Sequence, residues 1–278
     1  MLRRRALASF DRKGHRPYFA KTSVTAGVLL ASFALVAIAG GGASGGSVRT
    51  GQNLPTPREI LDNYIKALGG ADAITRHKSR TRKGAYKDDA GNSGSVVEYF
   101  EVNKMLIKYM TAKGDYIRSG DANFAWTSNP KSGPRLVQHF IPEFWKREAD
   151  LQYPLHITEY FRSYEVVGSE NFEGLDCFHI KGVTNWGDQN EQFYDKRTGL
   201  LAGYRFPNGP SKDAPLAIEG FQDYKQFDGL LVPTKEISRD PDGGSTTTYT
   251  SVTFDDVNDT VFEVPPAVKQ QIKDSKSK

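Results

Sequence analysis

Residues 94–111 read GSVVEYFEVNKMLIKYMT. On an extended chain Val97 and Tyr99 point one way, while Val96, Phe100 and Val102 point the other. Val102-Asn103-Lys104 is a turn signal, and beyond it Leu106 and Met110 oppose Met105, Ile107 and Tyr109. Strands joined by so short a link pair antiparallel. An antiparallel sheet with one wet face alternates cleanly between apolar and polar residues, and this stretch does not. Something covers the second face.

The same period continues on both sides. Strands are expected at 79–87, 94–102, 104–111, 115–118, 122–127, 134–138, 163–169, 176–183, 190–195, 200–206, 216–226, 231–239 and 245–254. Turn signals separate them, among them Ser128-Asn129-Pro130, Glu173-Gly174, Thr198-Gly199 and Asp228-Gly229. The alternation of strand and helix that builds a parallel sheet is absent.

Two helical segments are available as covers. Thr56-Pro57-Arg58-Glu59 is a capping box, with Thr56 as N-cap, proline at the first helical position and Glu59 reaching back. Ile60, Leu61, Tyr64, Ile65 and Leu68 then form one apolar stripe, and Gly69-Gly70 closes the helix. Residues 141–162 interrupt the strands as a short helix that starts near Pro142 and carries Phe144 and Trp145. It runs into an irregular stretch broken at Pro154. Between them these covers enclose an apolar interior.

Residues 1–22 carry Arg3, Arg4, Arg5, Arg12, Lys13, Arg16 and Lys21 against the single acid Asp11. An apolar run, VTAGVLLASFALVAIA, follows at 24–39. A positive flank before an apolar segment is read by export machinery, with the positive side left in the cytoplasm. Ala37-Ile38-Ala39 before Gly40 fits a cleaved signal peptide, while the long basic flank suits a retained anchor. Both readings place the remainder in the periplasm, exported or anchored in the inner membrane. The organisation expected is 1–48 as flank plus signal or anchor, 49–55 as linker, 56–266 as one β-rich domain and 267–278 as a polar tail.

The whole-chain charge is +4, and without residues 1–22 it becomes slightly negative. The domain is therefore near neutral, which argues against nucleic acid as a partner. Cys177 is the only cysteine, so no intramolecular disulfide forms, and it reads as a small buried strand residue. His77, His139, His156 and His179 have no metal-ligand spacing, and Asp255, Asp256 and Asp259 lack the pattern of a calcium loop. No GxSxG, Walker or GxGxxG motif occurs, so neither a catalytic residue nor a cofactor is expected.

Several phrases in order resemble the lipoprotein-localisation-factor-like superfamily, the LolA-like outer-membrane lipoprotein-sorting proteins. They are Leu68-Gly69-Gly70-Ala71, Val167-Gly168-Ser169-Glu170 with Cys177-Phe178-His179-Ile180, Tyr194-Asp195-Lys196-Arg197-Thr198-Gly199-Leu200-Leu201, and Tyr224-Lys225-Gln226-Phe227-Asp228-Gly229-Leu230-Leu231-Val232-Pro233. The resemblance covers roughly residues 56–266. It implies a mainly β fold: an incomplete antiparallel β-barrel with an N-terminal helix and a helical lid insertion, holding acyl chains in an apolar interior. No catalytic residue carries over.

The expected function is binding of a lipid, a lipoprotein acyl chain or another hydrophobic ligand beside a membrane. The alternative is a tethered structural or sensory module that meets an envelope protein partner; an extracytoplasmic hydrolase is less favoured. The residues expected to line the cavity are Met105 and Tyr109 on the sheet and Phe144 and Trp145 in the lid. The wider aromatic and methionine set also includes Tyr99, Phe100, Trp126 and Phe140.

Overall fold

The structure is a computed structural model and describes residues 54–138, 140–208 and 214–276. The basic flank, the apolar run, the linker through residue 53 and His139 lie outside the described residues.

Helix α1 (Pro57–Leu68) begins as its capping box dictates. The Thr56 hydroxyl accepts from the Glu59 N–H at 3.2 Å, and the Glu59 carboxylate accepts from the Thr56 N–H at 2.7 Å. At the other end the Gly69 and Gly70 N–H groups return to the Lys66 and Ile65 carbonyls. A short helix, α2 (Ala71–Arg76), leads into the sheet.

The first meander is β1 (Ser79–Asp88), β2 (Ser93–Glu101), β3 (Lys104–Thr111), β4 (Gly114–Gly120), β5 (Ala125–Ser128) and β6 (Arg135–Leu136). The insertion follows as α3 (Pro142–Glu148), α4 (Tyr153–His156) and a 3-10 turn at Ile157–Tyr160. The second meander is β7 (Phe161–Phe172), β8 (Leu175–Thr184), β9 (Gln189–Asp195), β10 (Leu201–Pro207), β11 (Leu216–Phe227), β12 (Leu230–Asp240) and β13 (Gly243–Phe254). Strand β13 pairs with β1 and fuses the two meanders. The result is one 13-stranded antiparallel sheet, left open at β6 and β7.

The sheet curves. Ile60, Leu61, Tyr64 and Leu68 of α1 pack in one cluster with Phe161 of β7, Ile180, Tyr194 and Leu201, and reach Leu230 and Leu231 of β12. A flat sheet cannot bring its edge strand and a strand five places away against one helix 12 residues long. The second meander therefore wraps α1, and the fold is an incomplete β-barrel with helices on its concave face.

One bulge sets which side chains enter that face. Register slips between Lys83 and Gly84, where β13 crosses β1. A Cβ on Gly84 would lie 2.1 Å from the Thr248 carbonyl oxygen, so glycine permits the close approach. The slip leaves both Tyr249 and Val252 on the concave side, opposite Gly84 and Arg82.

Several boundaries differ from the sequence expectations, and Pro154 falls in the first turn of α4 rather than breaking the insertion. Val102 lies in the β2–β3 turn rather than in a strand and is 44% exposed. Strand β6 shrinks to two residues. The stretch expected as a polar tail forms a helix, α5 (Pro266–Lys276), with Val268 wholly buried. Val268 and Ile272 share one helix face and cover Leu106 and Trp126 on the convex side of the sheet. A two-residue apolar face inside a polar segment is too thin to read as helix without the surface it meets. No described helix is long and apolar enough to cross a membrane.

Candidate functional site

Two apolar clusters occupy the concave face. The first lies under α1 against β7–β12. In the second, Phe144, Trp145 and Ala149 of α3 and its C-cap pack on Met105 and Ala125, with Phe100, Ile107 and Phe140 alongside. Trp186, in the β8–β9 turn, packs against both. The insertion thus spans from the first meander to the second.

Close contacts seat α3. A Cβ on Gly120 would lie 2.6 Å from the Trp145 ring, so only a bare backbone in β4 lets that ring lie flat. Arg118 of β4 donates to Glu148 at 2.9 Å, and Arg147 donates to the other oxygen of the same carboxylate at 2.9 Å. Arg118 lies over the Trp145 ring at 4.7 Å, and Arg147 lies over Trp186 at 5.1 Å. Asp150 ties down the rest of the insertion, accepting from the Tyr160 hydroxyl at 2.8 Å and facing His156 Nδ1 at 2.9 Å.

The residues expected to line a cavity fall on this face. Met105, Phe144 and Trp145 come together in one cluster and are each almost wholly buried. Tyr109 lies further along β3 on the same face, half-exposed, with its ring edge-on to Tyr86 at 5.2 Å. Trp126 and Tyr99 of the wider set face the convex side instead, under α5.

Between the two clusters the floor of the barrel is polar. Arg82 donates through Nε to Glu98 at 2.8 Å and through Nη1 to Glu236 at 2.7 Å. The Tyr249 hydroxyl donates to Glu98 at 2.5 Å and contacts Glu236 at 3.2 Å, and Arg82 lies 4.0 Å above the Tyr249 ring. Burial opposes the Arg82 charge, but the facing Glu236 and Glu98 carboxylates hold it firmly protonated. Burial raises the Glu236 carboxyl despite the pull of Arg82. A second network lies under α4. Gln192, fully buried, accepts from Tyr164 at 2.6 Å and Tyr194 at 2.7 Å and donates to Asn190 at 3.1 Å and Tyr153 at 3.3 Å.

Tyrosines line the space between floor and covers. Burial pushes the hydroxyls of Tyr109, Tyr153, Tyr164, Tyr204 and Tyr224 upward, and for Tyr109 the Glu98 and Glu236 carboxylates add to it. Each of these side chains still keeps part of its surface accessible. Left partly accessible between the two apolar clusters, they form a crevice open to solvent. Two pockets lie at the rim: about 400 Å³ between α1 and the β9–β10 turn, and about 280 Å³ between the α3–α4 link and the β2–β3 turn.

The floor residues were not legible as a site. Glu98 shares the parity of Val96 and Phe100, an acid on an apolar face, which is the one signal the sequence offers. Its partners Arg82 and Glu236 are 16 and 154 residues from Glu98 and Arg82 respectively. Cys177 lies on the convex side among Phe172, Phe193 and Ala202, with its thiol pushed up to about 12 by burial, and has no part in this crevice. Among the described residues no group of three or more His, Cys, Asp and Glu is placed to hold a metal ion.

No protein-family model matches the sequence, and no curated protein sequence matches it. Solved structures do. The chain is similar to a DUF1329 family protein from Desulfovibrio piger, at TM-score 0.53 and 14% identity over 74% of this chain and 96% of that one. It is also similar to a LolA superfamily protein from Nitrosomonas europaea, at TM-score 0.52 and 12% identity over 76% of this chain and 99% of that one. At these identities the likeness shows the fold alone, an open antiparallel barrel covered by helices.

Proposed function

We propose that the domain binds a lipid, an acyl chain or a similar hydrophobic ligand between the concave sheet and its helical covers. The observation that carries this reading is the pair of apolar clusters under α1 and α3, joined at Trp186 across a crevice of part-exposed tyrosines. The apolar sequence at 24–39, read as a signal or an anchor, supports placing that crevice beside a membrane. The action is passive: water is excluded from the chain, at ~0.8 kcal/mol for each buried CH₂. Met105, Phe144 and Trp145 pack on one another here, so a chain reaches them as α3 lifts.

A diazirine-bearing long-chain alcohol, photolysed with the full-length protein in membranes, tests this. Adducts should map to β3 and α3, at and around Tyr109, Met105, Phe144 and Trp145, and excess unlabelled alcohol should suppress them. Adducts confined to residues 24–39, or labelling that no competitor reduces, would sink the proposal.

The near-complete burial of Met105, Phe144 and Trp145 favours a second reading. In it the insertion is a fixed docking element for an envelope protein, and no ligand enters. A stoichiometric protein partner in native membranes, without competed photolabelling, would select it.

A further inference from the structure

Among the described residues Arg80 is the cation of the barrel floor that the fold leaves without an ionic partner. It precedes Arg82 by two residues on β1, so both project from the concave face, and it pairs in register with Phe100 on β2 and Phe254 on β13. Arg82 already holds both nearby carboxylates, Glu98 and Glu236, and Tyr249 contacts the same two. Among the described residues Arg80 makes no hydrogen bond and no ion pair. Its Nε is buried without a partner, and its contact is the Phe100 ring, 5.0 Å from the guanidinium carbon. Burial first, and then the neighbouring Arg82, lower its pKa to about 10. It stays charged at neutral pH while short of a counter-ion.

Its position is as informative as its lack of a partner. Phe100 belongs to the apolar cluster of Met105, Phe144 and Trp145 under α3. On the other neighbouring strand it faces Phe254 of β13. The cation therefore stands at the edge of the apolar seat under α3. A guanidinium takes a carboxylate or phosphate through two parallel N–H bonds, and a low-polarity setting strengthens them.

We propose that Arg80 is an anion-recognition residue for the head of an amphiphile, so that the bound ligand is an acyl chain carrying a carboxylate or phosphate. The head lies at Arg80 and the chain runs past Phe100 into the seat under α3. This rests on the reading of the crevice as a site for a hydrophobic ligand and narrows its ligand class. It also explains why an arginine without a protein partner occupies a face otherwise built of apolar groups and matched charges.

The test uses the full-length protein and the photoreactive neutral long-chain alcohol as probe. The competitors are unlabelled alcohol, the fatty acid and the monoacyl phosphate of the same chain length, and inorganic phosphate. In the wild type the acid or the monoacyl phosphate should compete roughly tenfold better than the alcohol, the gain of one charge-assisted pair. In Arg80→Gln that advantage should vanish while competition by the alcohol persists, and Arg80→Lys should keep part of it. The ligand-free Arg80→Gln protein should melt no lower than the wild type, because it loses an unpaired, part-buried charge; a structural role would lower its Tm. Equal competition by acid, phosphate and alcohol in the wild type, or an anionic preference that survives Arg80→Gln, overturns the headgroup assignment and leaves the hydrophobic site standing. Displacement by inorganic phosphate alone overturns it in favour of a free anion. Failure of every chain-bearing competitor overturns both readings together.

Discussion

Arg118 of β4 and Glu148 at the end of α3 are joined by a 2.9 Å hydrogen bond, and both side chains are less than one-fifth exposed. The bond ties the covering helix to the sheet it covers. Glu148 is held from its other oxygen by Arg147, so one carboxylate serves as the anchor for two cations of the lid region.

Glu148→Gln should therefore loosen α3 without unfolding the barrel. Hydrogen bonds to charged groups contribute about 1.5–3 kcal/mol, and a loss near the lower end raises local opening roughly tenfold. Amide exchange over residues 142–149 should accelerate by that factor, with α1 unchanged. Unchanged exchange in α3 would show that apolar packing alone holds the lid.

Trp145 is 2% exposed and rests on Gly120. Trp145→Ala should cost roughly 3–5 kcal/mol, as expected for a large aromatic removed from a packed site. Gly120→Ala places its methyl 2.6 Å from the same ring and 2.7 Å from the Ala125 methyl, so it should cost about 1–3 kcal/mol by overpacking. In the double variant the second penalty should fall, because the clash disappears with the ring. Urea unfolding of the four proteins measures this, and additive penalties would mean that the two residues do not meet.

Arg82→Met removes the shared partner of the buried Glu98 and the part-buried Glu236 and should cost about 3 kcal/mol, the lower end for a broken buried pair. Adding Glu98→Gln and Glu236→Gln should recover much of the loss, since the uncompensated charges then go. A triple variant no more stable than Arg82→Met would show that packing of the guanidinium over Tyr249, rather than charge pairing, carries the effect.

The concave tyrosines set an alkaline limit. Tyr64, Tyr194 and Tyr249 are almost wholly buried, and burial raises their hydroxyls above the ordinary 10.0. The folded protein then holds protons that the unfolded chain releases. Their contribution to stability is therefore full below about pH 10, the ordinary value of the phenol, and falls as pH rises through the raised values. Phenolate absorbance should lag behind that of free tyrosine and then rise together with loss of the fold. A smooth titration near the ordinary value with the fold intact would contradict the buried networks.

Much of the fold was legible because its determinants are local. Alternation fixes each strand within a few residues, and the Asp-Gly, Thr-Gly and Glu-Gly turns fix the hairpins that join them. Apolar residues on both faces of 94–111 announced covers, and the capping box and the helix start at Pro142 located them. Parity put Met105 on one face of its strand, but its contact with Phe144 and Trp145 is made only in the folded chain.

The sequence by itself thus determined most strands, their antiparallel pairing and the helices at Pro57 and Pro142, because each depends on side chains within one or two turns or strands of one another. Tertiary structure alone decided the polar floor. Arg82 meets Glu236 across 154 residues, Tyr249 meets Glu98 across 151, and the bulge at Gly84 puts Tyr249 on their side of the sheet. Only when β13 closes against β1 are the two acids claimed by Arg82, and only then is Arg80 left over. Charge balance in a barrel is a sum over strands distant in sequence, and no local pattern contains it.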